Sequence, residues 1–232
     1  MWRVGIDVGG TFTDLYAWTG DGKQISAKVL TTKHDRAIGV MNALTEAGIA
    51  AGNIAQLMHG TTTATNALIT RDYPEAAMIT TEGFRDTIEI GRQHRAHLYD
   101  PYQQKPKPII KRRFRYTTSE RMGSSGSPVR PVDVAAVREI AEKIKQHEIK
   151  SVAVACINAY VNPAHENQIR DIVLDVNPDI YCVTSADTRA VFREHGRFAT
   201  TAIRAATIPV MEQYFDRLET ALAQAGFNGR LM

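Results

Sequence analysis

Between Val4 and Leu15 an apolar strand runs into an acid, two glycines, two hydroxyls and a second acid. Val4, Ile6 and Val8 alternate with Gly5, Asp7 and Gly9, the period of a half-buried strand. Gly9-Gly10 is a hairpin signal, and Leu15-Tyr16-Ala17-Trp18 continues as strand rather than helix. The fold therefore opens with a β-hairpin whose tip is nearly bare backbone. Without Cβ atoms there, N–H groups can approach a polyphosphate closely. Thr11 and Thr13 add hydroxyl donors. Asp7 and Asp14 would repel phosphate unless a hard cation such as Mg²⁺, with its waters, lies between. A plain hairpin with polar tips is the alternative. No Lys-Ser/Thr pair follows the glycines, which excludes a Walker loop, and the strand that follows excludes a dinucleotide fingerprint.

The rest of the chain alternates between strand and helix patterns. Residues 3–8, 14–19 and 25–31 form a meander. Asp35 caps a helix through Glu46 with Ile38, Met41 and Leu44 on one face, and Gly48 ends it. Ile54–Met58 leads into His59-Gly60, after which Thr61 caps a helix carrying Thr65, Asn66, Leu68 and Ile69. Ala76–Thr80 is a further strand. Residues 91–131 hold five prolines and a Gly/Ser run, and read as an excursion of loop and short strands of the kind that serves as a flap. Asp133 then caps a helix, Ser151–Ile157 is a buried strand, Asn162-Pro163 opens a helix that stops at Asn177-Pro178, and Ile180–Thr184 is a strand. From Val191 the pattern is helical, with Pro209 as a kink or break and Gly226 as the end.

A net charge of +3 on 232 residues gives no argument for nucleic acid or membrane, and no apolar run is long enough to span a bilayer. The basic residues between Lys105 and Arg115 read as a solvated loop face. Cys156 and Cys182 lie in apolar runs and read as core thiols. A cytoplasmic setting is the default expectation. His165 and Glu166 read as a solvated helix turn.

The opening string Asp7-Val8-Gly9-Gly10-Thr11-Phe12-Thr13-Asp14 resembles the first phosphate loop of the actin, sugar-kinase and heat-shock-chaperone ATPases. Its form is similar to that of the hydantoinase A, 5-oxoprolinase and acetone carboxylase β-subunit family. Four further blocks carry the same resemblance: His59-Gly60-Thr61-Thr62 through Thr65-Asn66-Ala67; Glu82 through Gln93 with Leu98-Tyr99-Asp100; Asn158 through Glu166; and Phe192-Arg193-Glu194 with Thr200-Thr201. His195-Gly196 departs from the family's usual Tyr-Glu.

The resemblance implies an α/β, ribonuclease H-like (actin-like ATPase) lobe, with a mixed sheet flanked by helices. It implies a hydantoinase A/oxoprolinase N-terminal domain over 1–190, with 191–232 opening the next domain. The single Gly-Gly pair and the strand-like Gly229-Arg230-Leu231-Met232 lead us to expect the N-terminal part of a longer, two-lobed protein, inactive by itself. It further implies ATP and Mg²⁺ as cofactors. Asp7 would face the metal through water, with Gly9, Gly10, Thr11 and Thr13 around the phosphates and Asp14 behind the loop. His59, Thr61 and Thr62, at a strand-to-helix junction, are the catalytic candidates, since free N–H groups and the helix dipole favour a developing negative charge there. Asn66 suits helix packing and ligand binding equally. Arg92 could fork a substrate carboxylate or make a surface ion pair. The implied reaction is phosphorylation of a cyclic amide carbonyl followed by hydrolytic ring opening. The alternatives are a carboxylase acting on a ketone, a small-molecule kinase and a nucleotide-binding lobe without activity. The implied partners are a B-type hydantoinase subunit or domain and further copies of the chain.

Overall fold

The computed structural model describes every residue except Lys33, Arg95, Ala96 and Leu98. Leu98, part of one family-like block, thus lies outside the described residues. The chain divides into two compact units, Met1–Asp72 with Val210–Met232, and Tyr73–Pro209.

Unit 1 is built on a mixed five-stranded sheet. Strands β1 (Trp2–Val8), β2 (Phe12–Thr19) and β3 (Gln24–Leu30) form the antiparallel meander, and β4 (Ile54–Thr61) runs parallel to β1. The short β11 (Arg230–Leu231) adds to β4, giving the order β11-β4-β1-β2-β3. Alternation decides the faces: Val4, Ile6, Val8, Leu15, Ala17 and Leu57 are buried. They pack with helix α1 (Arg36–Glu46) and with Tyr214, Leu218 and Leu222 of α7 (Glu194–Gln224). Asp35 caps α1, its carboxylate accepting from Ala37 N at 3.0 Å. The buried face of α1 is Ala37, Val40, Ala43 and Leu44, with Ile38 exposed; smaller residues lie closest to the sheet than the apolar count alone suggests. Helix α2 (Thr63–Thr70) follows β4 directly. Its cap is Thr62, one residue later than expected, because β4 continues through Thr61.

Unit 2 carries a parallel sheet in the order β10-β9-β5-β6, from Tyr181–Thr184, Ser151–Ala155, Ala76–Thr81 and Arg115–Thr118. Its β5 and β9 are buried throughout, as a parallel sheet covered by helices requires. Between β5 and β9 lie the one-turn α3 (Thr87–Ile90), the hairpin β7 (Arg121–Met122) and β8 (Pro128–Arg130), and α4 (Val134–Gln146). Helix α5 (Ala164–Val176) follows β9, and α6 (Ser185–Arg189) follows β10. The 91–131 excursion thus contributes a full sheet strand, β6, which its prolines had masked. The short α6 lies in the stretch between β10 and α7 to which the sequence pattern assigned no element. Helix α7 continues through Pro209 without a break.

Two expectations about charge are corrected. Arg115 is buried, donating to Ile110 O at 3.0 Å and paired with Glu89 at 2.7 Å. Arg112 holds Asp86 through two bonds of 3.0 Å and Lys111 pairs with Glu75, yet both stay exposed, as do Lys105, Lys107 and Arg113, so the rest of the run keeps the solvated face expected of it. His165 and Glu166 are buried, not solvated. His165 Nδ1 meets Glu120 Oε2 at 2.7 Å. The Glu166 carboxylate accepts from Cys156 N at 2.7 Å, Ser185 Oγ at 2.5 Å and Ala186 N at 2.9 Å.

Candidate functional site

In unit 1 the hairpin tip and the start of α2 meet at one end of the inner strands of the sheet, where β1 and β4 both finish. Strand β1 lies between β2 and β4, with Asp7 opposite Asp14 on one side and beside Gly60 on the other. Asp7, Asp14 and Tyr16 stand on the sheet face away from the core and border an open cavity of about 670 Å³ with Gly5, Met58, His59 and Gly60. A Cβ on Gly60 would lie 3.3 Å from Asp7 Oδ1, so only the bare backbone leaves the carboxylate its place. Asp14 is held by Lys28 at 2.8 Å. Asp7 has no hydrogen bond or ion pair among the described residues.

The tip supplies donors. Gly9 N–H closes the hairpin onto Phe12 O at 3.0 Å, while the N–H groups of Gly10 and Thr11 have no acceptor among the described residues. Neither glycine adopts a positive φ. Gly10 is needed for space instead, since a Cβ there would stand 3.3 Å from Asn66 Nδ2. Asn66 Nδ2 in turn donates to Thr62 Oγ1 at 3.1 Å. At the start of α2, Thr62 N–H binds Val8 O at 3.2 Å and Thr63 N–H binds Thr61 Oγ1 at 3.2 Å. The N–H groups of Ala64 and Thr65 are then the donors of the first turn that the helix itself cannot satisfy.

The structure thus brings together Asp7, Gly9, Gly10, Thr11, Thr62 and Asn66. Thr61 is at the same junction with its hydroxyl 2.7 Å from that of Thr63. Two expected residues point elsewhere. Thr13 is buried on the core face, its hydroxyl 3.0 Å from that of Thr31. His59 pairs in register with Ile6 and so shares the core face, opposite Asp7. Its Nε2 is hydrogen-bonded to the Tyr214 hydroxyl, and its ring lies 5.3 Å from that of Tyr214 and 6.0 Å from that of Phe215. Burial pushes its pKa below the ordinary 6.5, partly opposed by the charge of Asp7, which favours a neutral imidazole accepting the Tyr214 proton.

The residues fit a Mg²⁺–polyphosphate group: an exposed, unpartnered carboxylate stands beside open backbone donors, and its acidic neighbour is already neutralised. No group of three or more His, Cys, Asp and Glu side chains that could hold a metal ion occurs among the described residues. Arg92 belongs to unit 2, where it is exposed and borders a separate cavity. Sequence reasoning missed Lys28, which pairs with Asp14 and leaves Asp7 without a partner among the described residues. It also missed Tyr214, the partner of His59.

The model of the hydantoinase/oxoprolinase N-terminal region matches residues 3–176. The chain belongs to this family. It is 38% identical over 233 residues to an uncharacterized protein of Methanocaldococcus jannaschii, covering 99% of this chain and 34% of that protein. To the acetophenone carboxylase gamma subunit of Aromatoleum aromaticum it is 37% identical over 186 residues, covering 73% of this chain and 25% of the subunit. The crystal structure of the ATP-dependent caprolactamase from Pseudomonas jessenii matches with a TM-score of 0.87 at 28% identity, over 99% of this chain and 35% of that one. The mixed α/β architecture expected of the family is therefore the one the chain adopts. The chain spans between a quarter and about a third of the length of these relatives. No helix among the described residues is long and apolar enough to cross a membrane.

Proposed function

We propose that this hydantoinase/oxoprolinase-type region holds the phosphates of Mg²⁺·ATP for an enzyme that activates a cyclic amide carbonyl by phosphorylation, for hydrolytic ring opening. The observation that carries the reading is Asp7, an unpartnered carboxylate set between Asp14 and Gly60 beside the open N–H groups of Gly10 and Thr11. In this reading Asp7 faces the cation through water. Gly10, Thr11 and the first turn of α2 donate to phosphate oxygens, and Thr62 with Asn66 fixes the hairpin tip against α2. Bound Mg²⁺·ATP supplies the phosphoryl group and neutralises its charge. His59 positions β4 against Tyr214 and does not confront the nucleotide, while Thr13 braces β2 and β3. Asp14, tied to Lys28, supports the loop from behind.

The caprolactamase likeness favours amide chemistry, and the acetophenone carboxylase likeness keeps a carboxylase as the second reading. The reading includes a B-type partner subunit or domain, since relatives are subunits of larger enzymes. It also gives these 232 residues alone no turnover. The test is substrate-stimulated ADP release by the complete protein with its B-type partner, on lactams and on ketones with bicarbonate. Ring-opened product with ADP and phosphate supports the first reading, and carboxylated product the second. Turnover that survives Asp7→Ala removes Asp7 from the site.

A further inference from the structure

One row across the unit 1 sheet carries Gly60, Asp7, Asp14 and Lys28, each in register with the next on β4, β1, β2 and β3. Side chains opposed on neighbouring strands approach to about 5 Å. Two carboxylates set this way on an open face can chelate a hard divalent cation directly. In this row only one of them is free. Lys28 Nζ lies 2.8 Å from Asp14 Oδ1 and 4.8 Å from the centre of the Phe12 ring, so the ammonium is held from two sides. The contact gives a use to Phe12, an aromatic ring left exposed at the hairpin tip.

We propose that Lys28 is a specificity-determining residue of this site: it withholds Asp14 from metal, so that the row takes a divalent cation as its polyphosphate complex and rejects the free ion. Two arguments support this. A cation chelated by both carboxylates gives up coordination positions that phosphate oxygens need, whereas one carboxylate acting through water leaves them open. The ammonium also repels a free divalent cation but attracts the same cation carried by a polyphosphate, whose net charge is negative. The inference rests on the reading of Asp7 as the carboxylate that faces the cation, and it adds what keeps Asp14 from doing the same.

The test is binding of free Mn²⁺ to the chain without nucleotide, read by electron paramagnetic resonance. Lys28 and Asp14 are both more than half exposed, so substitutions there leave the core intact. The wild-type chain should bind the free ion weakly. Lys28→Met should tighten binding about 5- to 20-fold at low ionic strength, and less as salt is added. Mn²⁺ should then raise the thermal midpoint of Lys28→Met more than that of wild type. Lys28→Arg should bind as wild type does, and adding Asp14→Asn to Lys28→Met should restore the weak binding. Unchanged Mn²⁺ affinity in Lys28→Met, or tightening that survives Asp14→Asn, would overturn the role of Lys28 and leave Asp7 as the cation's carboxylate. Tightening in Lys28→Met that survives Asp7→Asn would overturn the inference from beneath, by removing Asp7 from the cation.

Discussion

Asp7 and Asp14 stand directly opposite each other across the β1–β2 pair, and Lys28 neutralises only Asp14. Like charges at opposed positions of an antiparallel pair destabilise it. A residue kept for folding alone would not be left this way. Asp7→Asn is therefore expected to raise the thermal midpoint of the chain by about 1 °C while reducing ADP release by the complete enzyme at least 100-fold. Thermal unfolding and coupled ADP assays check the two effects. A lowered midpoint with activity retained would make Asp7 a structural residue.

Gly60 tests the same carboxylate from its other side. In Gly60→Ala the new methyl would stand 3.3 Å from Asp7 Oδ1, closer than side chains comfortably pack, so the carboxylate must move by a few tenths of an ångström. The expected result is a loss of ADP release of about 10-fold or more with little change in denaturant midpoint. A raised requirement for Mg²⁺ would accompany it, read by titrating the cation at fixed ATP.

How much of this was legible in the sequence depended on the kind of signal. Val4-Ile6-Val8 and the Gly-Gly turn fixed the hairpin because strand alternation and turn chemistry are local. Asp35, Asn162 and Gly48 marked helix ends for the same reason. Glu166 was not legible. It lies in the first turn of α5, where an acid ordinarily faces water, and only the return of α6 and α7 beside β9 closes over it. Ser185 and Arg197, its companions in space, are 19 and 31 residues further along. Likewise His59 read as a ligand-facing group because its neighbours do, and the pleat turned its ring the other way. Long-range partners decide such cases, and periodicity carries no record of them.

Glu166 and Arg197 grip the two sides of one residue: Cys156 N–H donates to Glu166 Oε1 at 2.7 Å, and Cys156 O accepts from Arg197 Nη2 at 2.8 Å. Ser185 Oγ links them, accepting from Arg197 Nε at 3.0 Å and donating to Glu166 Oε1 at 2.5 Å. Both side chains are fully buried. Glu166→Gln removes the carboxylate charge linked to Arg197 through Ser185, leaving Arg197 the longer 3.8 Å contact with Glu194, and is expected to cost about 2–4 kcal/mol. Adding Arg197→Met should cost less than the sum of the two single changes, measured by urea unfolding in a double-mutant cycle. Additive losses would show that the two groups act independently.

His59 couples the stability of unit 1 to pH. Burial, opposed in part by Asp7, lowers its pKa below 6.5, so the folded state binds fewer protons there than the unfolded state. Stability from this group is then fully present above pH 6.5 and is lost as pH falls below it. Protonation also removes the Nε2 lone pair that accepts the Tyr214 hydroxyl. The thermal midpoint should therefore decline as pH falls from about 6.5 to about 5. His59→Gln, which keeps an acceptor and cannot titrate, should flatten that decline. Tyr214→Phe should lower the midpoint at pH 7.5 by the loss of one hydrogen bond, about 1 kcal/mol, and shrink the pH dependence. A wild-type slope in His59→Gln would place the titrating group elsewhere in the chain.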